Sequence, residues 1–180
     1  MSSVMENLSG TNYFDLFGLA PRFAIDLNSL ELSFRRLQAE VHPDRHASHT
    51  ENEQRMALQL STAVNDGYRT LRHPASRAQC LIGLAGKSGA DASAAVAPAF
   101  LMAQMEWREA IEEARGASNA AALEALSRRL RHKVVVHEKE LAVALDERGD
   151  FDAAAQRVNE LRFYEKLRVE IDDALDRLDS

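Results

Sequence analysis

The chain has 180 residues, which allows one domain or two small ones with buried cores. Hydrophobic residues make up 46% and charged residues 28%, a globular composition that excludes a disordered or collagen-like protein. Four prolines and eight glycines are too few for the turns of a β-sandwich, so an all-α fold is expected. The formal charge of −6 argues against a general nucleic-acid binder, which needs a concentrated basic surface.

The cysteine content and the absence of long apolar runs indicate in which cellular compartment the protein acts. Cys80 is the single cysteine, so no intramolecular disulfide and no Cys-x-x-Cys pair can form. The first ten residues contain neither a basic region nor an apolar run, and no apolar stretch is long enough to cross a bilayer. We therefore expect a cytoplasmic protein with no signal peptide and no membrane contact.

The first two predicted helices differ in length. Asn12 can cap a short helix that ends at Gly18. A longer helix follows Asp26, where apolar residues recur at steps of three and four. Pro43 ends it, because proline lacks an amide hydrogen and forces the preceding residue out of the helical region.

Two more helices complete the first half of the chain. Thr50 and Glu53 have the spacing of a capping box and open the third helix, and the fourth runs from Pro74 to Gly86. The second and third helices are joined by a short polar loop and should pack antiparallel. Their expected core residues are Leu27, Leu30, Phe34, Leu37, Val41, Met56, Leu60, Val64, Tyr68 and Leu71.

The second half of the chain follows a linker of small residues over 86–97. Three helices are predicted after it, from Pro98 to Arg115, Ser118 to Arg148 and Asp150 to Leu178. Short connections between long amphipathic helices predict an antiparallel three-helix bundle over 98–180. Apolar residues keep three-four spacing along the last two helices, with Arg168 the one polar intrusion. The positions are Leu123, Leu126, Leu130, Val134, His137, Leu141 and Leu145, then Val158, Leu161, Tyr164, Arg168, Ile171, Leu175 and Leu178.

His42, Pro43 and Asp44 lie in the loop between the two long helices of the first half. The rigid proline separates an imidazole from a carboxylate, so fixing both groups on binding costs little entropy. Asp44 can accept a charge-assisted hydrogen bond from a partner's arginine. Three nearby basic residues can meet an acidic surface of that partner. They are Arg35, Arg36 and Arg45.

The context of this tripeptide resembles the J-domain, a co-chaperone module that stimulates ATP hydrolysis by DnaK-type chaperones. The resemblance covers about residues 11 to 78 and includes the segment Val64-Asn65-Asp66-Gly67-Tyr68-Arg69-Thr70-Leu71, followed by His73-Pro74 and Arg77-Ala78. It implies that the His-Pro-Asp loop, with the arginines beside it, engages the chaperone.

The same loop has two chemical alternatives. His42, His46 and His49 suggest a metal site, but no cysteine accompanies them and Pro43 interrupts the continuous helix that their spacing requires. An acid–base pair of His42 and Asp44 lacks a visible nucleophile or pocket. We therefore predict no metal, no cofactor and no enzymatic activity.

The first helix of the predicted bundle has a second apolar group outside its core stripe. At about 100° per residue, Leu101, Met102 and Met105 fall opposite the core. They either fill a wider core or bind a partner, for which methionine is adaptable. Phe163 lies about 200° from Leu161 and is expected to extend this group. The stripe on the opposite side consists of Phe100, Ala103, Trp107, Ala110, Ile111 and Ala114.

Nearly the whole chain resembles the HscB family, the J-domain co-chaperones of iron–sulfur cluster assembly. The matching segments are Tyr13-Phe14-Asp15-Leu16-Phe17-Gly18-Leu19, His42-Pro43-Asp44, Leu71-Arg72-His73-Pro74, Phe100-Leu101-Met102, Trp107-Arg108-Glu109 and Leu161-Arg162-Phe163. The resemblance implies a J-domain over 1–85 that stimulates the ATPase of an HscA-type chaperone, and a bundle that delivers the scaffold protein IscU. The implied scaffold contacts are Leu101, Met102, Met105, Glu106, Glu109, Glu113 and Phe163.

The sequence is also compatible with other functions. The alternatives are a J-protein that delivers other clients to a general DnaK-type chaperone, a helical metal-dependent enzyme, and a purely structural protein. Self-association through the apolar group is also left open. The lack of a cysteine-rich zinc module, which some eukaryotic relatives carry, favours a bacterial protein.

Overall fold

A computed structural model describes residues 12–41, 50–87 and 97–178. All regular secondary structure in these ranges is helical, so the predicted all-α class is confirmed. The elements in chain order are α1 (Tyr13–Phe17), α2 (Leu27–Glu40), α3 (Glu51–Arg72), α4 (Pro74–Leu84), α5 (Pro98–Gly116), α6 (Ala120–Ala142), a π-helical segment (Val143–Arg148) and α7 (Phe151–Leu178). The chain divides into two compact units between Ala85 and Gly86. Of the helices described, none has the length and apolar character needed to span a membrane.

The predicted helix starts of the first unit are confirmed by their caps. Asn12 Oδ1 accepts from the Asp15 amide at 3.1 Å, and Asp26 caps α2 in the same way. At Thr50 both bonds of the capping box form: its hydroxyl accepts from the Glu53 amide, and the Glu53 carboxylate accepts from the Thr50 amide at 2.9 Å. These bonds satisfy amide groups that a helix start otherwise leaves unpaired.

In the first unit, α1 lies against α3 at a glycine. A Cβ atom on Gly67 would lie 2.9 Å from Tyr13 Cδ1 and 3.0 Å from Phe17 Cε2, so only glycine permits this approach without a shift. Phe17 is buried beneath this contact, as is Phe14 on the same short helix. The close approach of α1 thus depends on the absence of a side chain at Gly67.

Two predicted core positions of the first unit are wrong. Leu27 is 50% exposed and Met56 is 49% exposed. The neighbouring Ala57 is buried in place of Met56, because α3 is rotated slightly from the predicted stripe.

Arg77 of α4 is a buried charged residue of the first unit. Its Nη1 donates a hydrogen bond to the Leu71 carbonyl at 2.7 Å.

In the second unit, α5, α6 and α7 form the predicted three-helix bundle. The two later helices begin slightly after their predicted starts, with Asn119 capping α6 and Asp150 capping α7. On the stripe of α7, Arg168 is exposed and the neighbouring Leu167 is buried instead; Leu178 at the end of the helix is also exposed, so its place on the apolar stripe does not put it in the core. The buried cluster consists of Trp107, Ile111, Ala114, Leu123, Leu130, Phe163, Tyr164, Leu167, Ile171 and Ala174.

A polar group is buried between α6 and α7. His137 is 7% exposed, and its Nδ1 lies 3.3 Å from a Glu160 carboxylate oxygen and 3.7 Å from one of Glu140. Arg157 lies 3.2 Å from both carboxylates. Burial lowers the pKa of His137 below its ordinary value, although the two carboxylates act in the opposite direction.

Candidate functional site

Three large apolar side chains of α5 are exposed. Leu101 is 49%, Met102 65% and Met105 62% exposed, which confirms the predicted orientation of these residues away from the core. We call them the Leu/Met patch. Exposed apolar groups that lie next to one another commonly mark protein interaction sites.

The opposite side of α5 fixes the helix on the bundle. Trp107 is only 3% exposed, and its ring meets Tyr164 edge-on at 6.3 Å and the Arg129 guanidinium at 4.7 Å. Ile111 is buried one turn later. Aromatic pairs in this geometry contribute beyond their buried area. The Leu/Met patch therefore sits on a helix that is held firmly in place.

The expectation that Phe163 lies off the bundle core is wrong. Its side chain is 9% exposed and belongs to the buried cluster. Phe100 meets its ring edge-on at 5.5 Å. Because α7 packs against both α5 and α6, it buries a wider arc than a single stripe, and this arc includes Phe163. Phe163 therefore packs against the start of α5 through Phe100.

The glutamates predicted to surround the patch are exposed. Glu106, Glu109 and Glu113 follow the apolar residues along the same side of α5 at steps of three and four. The face thus changes from apolar in the first turns of the helix to acidic in the later turns. A complementary partner would present an apolar contact beside basic side chains.

On the first unit, the structure places only part of the predicted chaperone-binding site. His42, Pro43, Asp44 and Arg45 lie outside the described residues, as do His46, His49 and residues 88–96 of the predicted linker. The remaining predicted residues, Arg35 and Arg36, are exposed on α2.

A chain of polar contacts joins the exposed side of α2 to α3. Arg35 Nε donates to a Glu31 carboxylate oxygen at 2.9 Å. The Tyr68 hydroxyl donates to the other oxygen of Glu31, and Arg72 donates to the Tyr68 hydroxyl at 3.2 Å. Tyr68 also stacks on Phe34 with ring centroids 4.0 Å apart. Tyr68, followed by Arg35, lowers the pKa of the Glu31 carboxyl, so Glu31 carries a negative charge at neutral pH.

Leu32 is absent from the predicted site, yet it is the most exposed large apolar side chain described, at 69%. The sequence contains a signal for this exposure. Leu32 lies about 200° around the helix from the buried Leu30, and Arg35 and Arg36 follow it by three and four residues.

Comparison with known proteins agrees with these features. A family model described as the HSCB C-terminal oligomerisation domain matches residues 96–172. The co-chaperone protein HscB homolog of Azoarcus sp. strain BH72 is 53% identical over 171 residues, which cover 94% of this chain and 96% of that relative. The chain belongs to the HscB co-chaperone family.

Two solved HscB structures share this architecture. Chaperone HscB from Vibrio cholerae is 36% identical, with a TM-score of 0.85 over 93% of this chain and 99% of that chain. The human co-chaperone HscB is 26% identical, with a TM-score of 0.84 over 91% of this chain and 82% of that chain. The HscB family is non-enzymatic, acts in iron–sulfur cluster assembly and works with an Hsp70-type chaperone.

Proposed function

We propose that this chain stimulates the ATPase of an HscA-type chaperone through its first unit and delivers an IscU-type scaffold protein through its bundle. In this proposal the J-domain covers 1–85, the linker 86–97 and the scaffold-binding bundle 98–180. Because the relatives it matches at 42% identity or more include several bacterial proteins, we further propose that it acts in the bacterial cytoplasm.

The observation that carries this proposal is the exposure of the Leu/Met patch on a firmly packed helix. Covering each of these partly exposed side chains with a partner would contribute roughly 1–2 kcal/mol. The buried contacts of Trp107 and Phe163 keep α5 in place before binding, so little ordering is needed. Both properties favour an interaction surface over an accidental apolar exposure.

The His-Pro-Asp loop supplies the second half of the proposal. Val41 is buried before the loop and Thr50 caps α3 after it, so both flanking residues have defined positions. Asp44 then accepts a hydrogen bond from an arginine of the chaperone. Attaching both partners to one chain raises the concentration of the scaffold near the chaperone without any further contact.

The first test is Asp44→Asn, with Asp66→Asn as a matched control because Asp66 is exposed on α3. Single-turnover ATP hydrolysis by purified HscA is measured with each variant. We expect Asp44→Asn to abolish the stimulation while scaffold binding is retained, and Asp66→Asn to behave as wild type. Normal stimulation by Asp44→Asn would contradict the role of the loop.

The second test is Met102→Ala with Met105→Ala, measured by calorimetric titration against IscU and against an unrelated client. The control is Val135→Ala with Val169→Ala, which are 48% and 53% exposed on the same bundle. We expect the methionine variant to bind IscU about tenfold more weakly with its melting temperature unchanged. An equal loss in both variants, or equal binding of the unrelated client by wild type, would reject the scaffold assignment.

A further inference from the structure

The exposed sides of α5 and α6 carry opposite charges. On α5, Glu106, Glu109 and Glu113 are exposed. On α6, helix rotation places the exposed Arg128 and Lys139 opposite the buried residues of that helix. The chain as a whole has a formal charge of −6, so this basic side is a local exception. Because α5 and α6 pack against each other, they form one surface that is acidic along one helix and basic along the next.

The charges on this surface are available to an outside partner. Within residues 97–178, no ion pair involves Glu109 or Lys139. Arg128 lies 3.5 Å from a Glu124 carboxylate oxygen, but the two side chains are 62% and 61% exposed. An ion pair this exposed contributes at most about 1 kcal/mol, so Arg128 can exchange Glu124 for another carboxylate at little cost.

The level of α5 against α6 is fixed by the contact of Trp107 with the Arg129 guanidinium at 4.7 Å. The two helices are joined by a short turn and run antiparallel. Counting forward from Trp107 and back from Arg129 therefore brings Glu109 level with Arg128, to within one residue. The acidic and basic groups thus lie side by side at the same height on the surface.

A second level of this surface is apolar on both helices. By the same count, Met102 is level with Val135, and these side chains are 65% and 48% exposed. The groove between the two helices is lined mainly by small side chains, which allow another surface to approach closely. They include Ala110, Ala117, Ala122 and Ala125.

We propose that this α5/α6 surface binds the same surface of a second copy of the chain, about a two-fold axis that runs along the groove. Such an axis keeps the level of every residue and exchanges the two helices, so α5 of one copy faces α6 of the other. Glu109 then meets Arg128 of the second copy, and Met102 meets Val135 of the second copy. A partner of one charge would match only one of the two helices, whereas a second copy matches both.

The size of the surface predicts a weak and reversible dimer. The 19 residues of α5 span about 28 Å, and two helices side by side are about 20 Å wide. Pairing two such faces buries about 1,000–1,200 Å² in total, which lies at the lower end of specific interfaces. We therefore expect a dissociation constant of about 10–100 µM.

Self-association and scaffold binding should exclude each other. The paired surface includes Met102 and Glu109, which also belong to the proposed scaffold-binding residues. Scaffold bound there would prevent the second copy from docking, and a dimer would conceal the scaffold-binding residues. This consequence rests on the proposed function, whereas the pairing of the two copies does not.

The first experiment measures sedimentation velocity of the full chain from about 5 to 500 µM, a range that spans the expected dissociation constant. The variants are Glu109→Arg and Arg128→Glu. Each variant alone places like charges opposite each other at both contacts, so we expect it to be monomeric. An equimolar mixture restores one opposite pair and keeps the other, so it should form dimers as wild type does. Asp173→Arg and Arg168→Glu, at exposed positions of α7, are the matched controls and should associate as wild type.

The second experiment titrates IscU into wild type and Arg128→Glu at about 5 and 200 µM chain. Because only the monomer can bind, the apparent affinity of wild type should fall about fourfold at the higher concentration. The Arg128→Glu variant lies outside the proposed scaffold-binding residues and should show no such fall. A wild-type affinity that is independent of concentration would overturn the mutual exclusion.

The pairing itself would be overturned by a wild type that stays monomeric, by a mixture that fails to restore the dimer, or by an equal loss of association in the α7 controls. None of these results bears on the proposed function. If the mixture restores the dimer but wild type binds no IscU at either concentration, the proposed scaffold delivery fails and the pairing stands.

Discussion

Replacing Gly67 with alanine has two opposing effects on the free energy of unfolding. Gly67 lies inside α3, where alanine is favoured over glycine by about 1 kcal/mol. The new Cβ atom, however, would lie 2.9 Å from Tyr13 and 3.0 Å from Phe17. Carbon atoms in good contact are about 3.5–4.0 Å apart, so α1 must move back by roughly 0.5–1 Å.

The steric effect should dominate. Introducing a carbon atom into a well-packed contact costs typically 1–3 kcal/mol, which exceeds the gain in helix propensity. We therefore expect a net loss of about 1 kcal/mol in the free energy of unfolding. For a unit of this size that corresponds to a fall of roughly 4–8 °C in melting temperature.

Gly83→Ala provides the control within the same unit. A Cβ atom at Gly83 would meet no other atom within 4 Å, and the residue lies in the last turns of α4. The substitution should therefore stabilise the chain by up to about 1 kcal/mol. The two glycine variants are expected to change stability in opposite directions.

Thermal unfolding of the full chain, followed by circular dichroism, gives the size and sign of both effects. Hydrogen exchange shows where they arise: for Gly67→Ala, we expect faster exchange in α1 and the facing part of α3 and unchanged exchange in α6 and α7. If Gly67→Ala raises the melting temperature as Gly83→Ala does, then the contact between α1 and α3 does not require glycine.

Three further substitutions test the buried polar groups and one helix cap. Because burial lowers the folded-state pKa of His137, the unfolded chain binds the proton first as pH falls, and the free energy of unfolding should decrease as pH drops below about 6.5. His137→Gln should reduce this decrease in urea titrations; an unchanged pH profile would contradict the assignment. Asn119→Ala removes the cap of α6 and should cost about 1 kcal/mol in thermal melts, with no change expected if the cap is unimportant. Arg77→Leu leaves the Leu71 carbonyl without its donor and should cost about 1–3 kcal/mol in urea unfolding, whereas wild-type stability would show that the bond is replaced.

Helix positions could be predicted from local signals. Caps such as Thr50 with Glu53 depend on residues three apart, and these bonds form as the sequence indicates. The exposure of Met102 also follows from rotation along one helix. Each of these features requires knowledge of a single helix only.

The errors arose where a helix has more than one neighbour. The spacing along α7 places Arg168 on the apolar stripe and Phe163 off it, but Arg168 is exposed, and Leu167 and Phe163 are buried because α7 packs against two helices. The contact of α1 at Gly67 likewise depends on which elements meet, which spacing along one helix does not specify. The bond between the Tyr68 hydroxyl and Glu31 likewise joins residues 37 positions apart in sequence, which spacing along one helix does not specify.

The position of the only tryptophan has a practical consequence for studying complexes of this chain. Trp107 lies on the same helix as the Leu/Met patch but points into the bundle, with the Arg129 guanidinium over its ring. A protein that docks on the patch without rearranging α5 would leave the emission wavelength of this indole unchanged. A shift to longer wavelength would mean that α5 has been pulled from the bundle. Intrinsic fluorescence can therefore distinguish rigid docking from remodelling without a label.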